Sequence, residues 1–192
     1  MARPRGFDTD AVLDRAMDAF WRQGYGNTSL PDLLDVMGIS RSSFYETFGG
    51  KRALFEASLR RYEARVTSRI MRALEQPGPI RTVMERLLAD MVTRTLAGEG
   101  RGCMMCNTAV ELAPHDPDLR AWLAGSFEGV ERALAVRLAQ ARDAGELAAD
   151  ADPVALARTF VALFNGLRVI AKARPERAVL DDIARSALRL LD

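Results

Sequence analysis

A single histidine, His115, and two cysteines, Cys103 and Cys106, are all that the 192 residues offer to a thiolate and imidazole metal site. One CxxC with one imidazole falls short of the usual four zinc ligands, so neither a metal nor a cofactor is expected. Two cysteines also make no disulfide scaffold, and thiols of this kind place the chain in the cytoplasm. Long hydrophobic runs are missing. No stretch approaches the roughly 18 to 20 uncharged apolar residues of a membrane span, so no membrane partner is expected. The N-terminus, MARPRGFDTDAV, is basic, yet no apolar signal core follows it. Net charge is scarce as well: 27 Lys and Arg against 26 Asp and Glu leave +1. A protein that coats nucleic acid wholesale is thereby excluded, and any DNA contact must come from local basic groups. Strand-like alternation of apolar and polar residues is absent, which excludes a sheet.

What is present is helical periodicity, along nearly the whole chain. Leu13, Ala16, Met17 and Phe20 form the inner stripe of a first helix, opened by Asp8 or Thr9 and closed near Gly24. Ser29 opens a second, with Asp32 placed to complete a capping box and Pro31 harmless in the first turn. That helix ends around Met37 and Gly38. A third lies in ISRSSFYETFGGK, residues 39 to 51, and a long fourth runs from about 50 to 75. PGP at 77 to 79 is the clearest break. Further helices are expected at about 79 to 97, 103 to 113, 117 to 145, 153 to 173 and 176 to 191. The fold class is all-α, about nine helices, with a small front module and a larger bundle behind it.

The short third helix carries the functional signal. With Ser40 as N-cap, Ile39 and Phe44 have the spacing of a hydrophobic staple. Phe44 and Phe48 turn inward together, so Arg41, Ser42 and Tyr45 turn outward. Gly49 suits the left-handed residue that ends a helix, and Lys51 then stands at the next N-terminus, where an anion is favoured. Helix, short turn with Gly38, helix is the helix-turn-helix pattern. Arginine reads guanine and small hydroxyls meet bases or phosphates in a major groove. Arg3 and Arg5 precede the first helix, where they would form an arm onto the backbone or into a minor groove.

The run FDTDAVLDRAMDAFWRQGYGNTSLPDLLDVMGISRSSFYETFGGKRALFEASL closely resembles the DNA-binding domain of the tetracycline-repressor (TetR) family of bacterial transcription regulators. The resemblance rests on AMDAFWRQGY, the TS before the second helix, MGIS in the turn, and SSFYETFGGKRALF into the fourth helix. It spans about residues 7 to 60. It implies a homodimer that binds a palindromic operator on double-stranded DNA, usually as a repressor, and releases it when a small-molecule effector enters the C-terminal bundle. It also implies a DNA-binding domain at residues 1 to 50 and an effector-binding and dimerisation domain at 51 to 192. By the same resemblance Thr28, Tyr45 and Lys51 contact phosphates, while Arg41, Ser42, Ser43 and Thr47 face the groove.

Behind this module, EGRGCMMCNTAVELAPHDP at 99 to 117 is the most informative stretch. Cys103 and Cys106 lie near one another on a helical surface, and Cys103 at the helix start, helped by Arg101, favours its thiolate. A sensor of oxidants or electrophiles is one reading of the pair. Small apolar fillers are the other, free cysteine being among the most buried residue types. An effector cavity is expected from Met84, Leu87, Leu88 and Met91, from Met104, Asn107 and Glu111, and from Trp122, Phe127, Phe160 and Phe164. The dimer interface is expected on the last two helices, through Val161, Phe164, Leu167, Ile183, Ala187 and Leu190. An all-α enzyme with Cys103 as nucleophile and His115 as base is the competing class. It has only a lone histidine on a Pro-flanked loop to support it.

Overall fold

A computed structural model describes residues 7–98 and 100–192, and the expected arm residues Arg3 and Arg5 lie outside these. Among the described residues there are nine α-helices and no strands. They are α1 (Thr9–Gln23), α2 (Leu30–Met37), α3 (Arg41–Phe48), α4 (Lys51–Leu74), α5 (Ile80–Ala97), α6 (Met104–Glu111), α7 (Pro117–Asp143), α8 (Pro153–Ala173) and α9 (Arg177–Leu188).

Local chemistry explains the boundaries. The Asp8 carboxylate accepts from the amides of Asp10 and Ala11 and starts α1. At α2 the capping box is complete: Ser29 accepts from Asp32 N while Asp32 accepts from Ser29 N at 2.9 Å. Asp116 and Asp152 cap α7 and α8, each followed by a proline at the first helical position. Single 3-10 turns continue α6 through Ala113–His115 and α9 through Arg189–Leu191.

Two apolar cores share α4. The front core joins α1, α2, α3 and the first half of α4 to Cys103, Met104, Met105, Leu119 and Leu123, so α6 and the start of α7 belong to it. The rear core takes the end of α4 together with α5, α7, α8 and α9. Polar clamps on α4 reinforce the junction. Arg61 and Arg65 both donate to Asp14 of α1, and Arg52 donates to Asp116 at the start of α7. The Arg61 hydrogen bond, aided by Arg65, holds the Asp14 carboxyl below its ordinary range although burial works the other way.

By length and composition α8 could cross a membrane, with a mean hydropathy of 1.5, yet Arg158 and Arg168 interrupt it. Its inner stripe is core instead. Val161, Phe164 and Leu167, with Ala187 of α9, are buried within this chain. That corrects the expected dimer surface: those four pack at home, because one apolar stripe serves either purpose. Outward α8 presents Ala162, Gly166, Val169 and Ile170, and the 3-10 turn after α9 exposes Leu190.

Candidate nucleic-acid interface

The α2–α3 pair is assembled from its turn. Gly38 is left-handed at φ 67°, and its amide donates to Leu34 O and Asp35 O, closing α2. Two residues later Ser40 caps α3, its hydroxyl accepting from Ser43 N at 3.2 Å. Phe44 is fully buried among Leu33, Met37 and the α1 stripe, which stabilises the placement by about 1.5 to 3 kcal/mol. Ile39 and Phe48 pack against the same core.

That anchoring leaves Arg41, Ser42 and Tyr45 exposed on one face of α3. Tyr45 packs edge-on against Phe44 at 5.1 Å, which fixes the ring while its hydroxyl stands free in solvent. Thr47 and Ser43 are half-buried, and Ser43 accepts from the Ser40 hydroxyl at 3.0 Å. Lys51, first residue of α4, holds its ammonium 4.4 Å over the Tyr25 ring, at the edge of the same surface. Thr28 is a correction. Its side chain is fully buried and its hydroxyl donates to Gly24 O at 2.6 Å, so it closes the loop before α2 and offers nothing to a phosphate.

The loop carrying Thr28 is tied to α6. Glu111, expected as a cavity residue, instead extends its carboxylate to the front module and accepts from Tyr25 N at 3.1 Å and Gly26 N at 2.7 Å. The approach is close enough that a Cβ on Gly24, whose φ is 82°, would sit 2.8 Å from Glu111 Oε2. Nearby, the Trp21 indole donates to Gly102 O at 3.2 Å.

The opposite end of α6 carries the thiols. Cys103 is buried and Cys106 half-buried. Cys106 donates to Cys103, and the Arg168 guanidinium and the Tyr62 hydroxyl add to this. Together they hold the Cys103 thiol well below its usual range, to about 5, against the effect of burial. Cys106 is pushed up, first by that same bond and then by burial. Burial, then the charge on Cys103, pushes up Tyr62. The helper is Arg168, whose Nη1 lies 3.9 Å from the Cys103 sulfur. Arg101, expected in that role, stacks 4.3 Å over Trp21 and pairs with Asp18 at 3.2 Å. His115 is exposed in its 3-10 turn and takes no part in the thiol cluster.

The expected cavity residues divide among three places. Met91 lines a cavity of about 200 Å³ between α1, α4 and α5, with Leu87, Trp21 and Tyr62. Phe164 and Cys103 line an apolar gap of about 40 Å³ on the other side of Val66 and Arg168. Trp122 borders a recess of about 100 Å³ between α4 and α7, under Arg60 at 5.2 Å. Asn107 is engaged elsewhere: it donates to Arg101 O at 3.0 Å and accepts from Lys172 at 3.2 Å, joining α6 to α8. Met84, Leu88 and Phe160 are fully packed core.

Comparison with known proteins gives two family matches along the chain. Residues 12–58 match the family described as bacterial regulatory proteins, tetR family. Residues 79–187 match the tetracyclin repressor-like C-terminal domain. The HTH-type transcriptional regulator YezE of Bacillus subtilis is 36% identical over 194 residues, covering 100% of both chains. The HTH-type transcriptional repressor ComR of Escherichia coli is 32% identical, covering 98% of this chain and 90% of its own. Among solved structures, a cysteine mutant of the TetR family transcriptional regulator CifR, complexed with 26 bp double-strand operator DNA, has a TM-score of 0.89. It is 33% identical and both chains are covered in full.

Proposed function

This chain belongs to the TetR family of bacterial transcription regulators, and from that premise we propose that it is a dimeric repressor released from a palindromic operator by an effector. It is a DNA-binding regulator of helix-turn-helix type and not an enzyme. The observation that carries the finer reading is the exposed face of α3. Arg41, Ser42 and Tyr45 stand outward from a helix whose other face is locked by Phe44. In a dimer, two such helices would enter successive major grooves about 34 to 36 Å apart. Arg41 reads a base edge, while Tyr45 and Lys51 fix the register on phosphates. The operator complex of the similar CifR chain supports this use of the surface.

Dimerisation uses the outward face of α8 and the end of α9 with its 3-10 turn, where Ala162 and Gly166 let helices approach closely and Val169 and Leu190 supply apolar area. Release is driven from the junction around α6. A ligand there, or conjugate addition of the Cys103 thiolate to an activated alkene, in which the sulfur–carbon bond forms as the C=C π bond breaks and the resulting carbanion takes a proton from water, shifts α6, and Glu111 passes that shift to the loop before α2. A near-complete reversal requires about 5 kcal/mol of differential affinity between the two states.

The test is fluorescence anisotropy of the reduced protein on duplex DNA from its own upstream region, before and after a thiol-reactive electrophile. Binding that is steep in salt, with two chains per duplex by light scattering, supports the repressor reading. Loss of binding on treatment, retained by Cys103→Ser, supports the thiol trigger. Salt-insensitive or absent binding by a well-folded protein on that DNA sinks the reading.

A further inference from the structure

We propose that the cavity between α1, α4 and α5 is a site for a small carboxylate with an apolar body, held by Arg69 and Arg168. Its volume of about 200 Å³ compares with the roughly 150 Å³ that accommodates benzene in an engineered protein cavity. The apolar wall is continuous: Met17, Trp21, Tyr62, Val66, Leu87 and Met91 all contribute. Trp21 and Tyr62 meet edge to face at 4.8 Å, which gives a rigid aromatic side for a planar body.

The charges around this wall point to the sign of the ligand. Four arginines and two aspartates line the cavity. The aspartates are already taken. Asp90 accepts from Arg94 with both oxygens, at 2.9 and 2.7 Å, and Asp18 pairs with Arg101 at 3.2 Å. Arg65 is likewise taken, by Asp14 at 2.6 Å. Among the described residues, Arg69 and Arg168 are left facing the cavity with no carboxylate partner. Arg69 is exposed at the rim, and Arg168 has only the Cys103 sulfur, 3.9 Å away, as an anionic neighbour, so both can turn a guanidinium to a planar anion and meet it with two parallel hydrogen bonds.

Arg168 also borders the smaller gap beside Cys103, so the anion site and the thiol share one cation. A carboxylate drawing Arg168 towards the larger cavity removes its support from Cys103. The inference deepens the effector reading above by naming the ligand class, and binding itself is measured without DNA.

The experiment uses the full, reduced chain, with calorimetry and thermal unfolding at matched ionic strength. The probes are benzoate, phenylacetate and the straight-chain carboxylates from acetate to decanoate, each against its uncharged amide. The expected result is that at least one carboxylate binds and raises Tm by several degrees at saturation while its amide does not. Arg69→Gln and Arg168→Gln should each weaken that binding about tenfold or more, with Arg168→Lys recovering part of the loss. Equal binding of acid and amide, undiminished binding by both glutamine variants, or no binding by any carboxylate overturns the proposal. If Arg168→Gln fails to fold, the acid and amide comparison and Arg69→Gln decide alone. Carboxylate binding that leaves the operator complex intact keeps this site and removes the release mechanism. Release by an electrophile without carboxylate binding does the reverse.

Discussion

Replacing Glu111 by glutamine tests whether α6 holds the front module. The carboxylate serves two donors with two oxygens, at 3.1 Å from Tyr25 N and 2.7 Å from Gly26 N. Glutamine keeps the length and one acceptor, but its amide nitrogen then faces a backbone N–H. One charge-assisted bond is lost and the other becomes neutral. Hydrogen bonds to charged groups contribute about 1.5 to 3 kcal/mol, and neutral ones about 1. The Gly26 end is exposed and regains water, which lowers the total. The expected cost is therefore about 1 to 2 kcal/mol. For a chain of this size each kcal/mol moves Tm by roughly 2 to 4 °C, so a fall of about 2 to 8 °C is expected. Calorimetry of wild type and E111Q at equal protein concentration reads the shift, since the proposed dimer would make Tm depend on concentration. Hydrogen exchange at Tyr25 and Gly26 should quicken in the variant before exchange in the α8 core does. An unchanged Tm together with unchanged exchange at those two amides would refute the reasoning, and water would be judged as good a partner as Glu111.

Four further outcomes follow from the geometry. Asp14→Asn should flatten the acid limb of stability. The folded-state carboxyl is lowered by Arg61 and then Arg65, so its contribution is present above about pH 4 and lost as pH falls through the folded value. Urea midpoints from pH 2.5 to 7 check this, and an acid limb as steep as wild type would count against it. Cys106→Ala removes the first support of the Cys103 thiolate, so the pH midpoint of Cys103 alkylation by iodoacetamide, followed by mass spectrometry, should rise from about 5 towards the ordinary 8.5. Arg41→Ala should weaken operator binding by about 1 to 3 kcal/mol and relax the base preference at one position. Thr28→Val, in contrast, should lower stability by about 1 to 2 kcal/mol and leave the salt slope of binding unchanged, as expected for a buried hydroxyl.

Elements with local signals were legible in the sequence. DADP announced α8, and the helix runs Pro153–Ala173 as expected because Asp152 caps it. SLPD announced α2 through its capping box, and ISRSSF announced α3 through its staple. Side-chain roles that depend on distant partners were not legible. Nothing near Glu111 in sequence reveals that two open amides 85 and 86 residues away will meet it. Arg101 stood closer to Cys103 along the chain than Arg168, yet Trp21 and Asp18 claim it. On α8, Val161, Phe164 and Leu167 have helical spacing that fits a core or an interface equally, and only packing against α5 and α7 separates the two. Thr28 was misread because its loop folds the hydroxyl back onto Gly24.

The front core has a bearing on protein engineering. Met104, Met105, Leu119 and Leu123 close it from beyond residue 100, so the helix-turn-helix does not form a cassette that lifts out cleanly. A chimera cut after α3, or midway along α4, would break the buried core that these four side chains share with Phe20, Phe55 and Leu59. A hybrid regulator that keeps this chain's operator preference must therefore transplant α6 and the first turns of α7 with it, and would inherit Cys103 and Glu111 in the same piece.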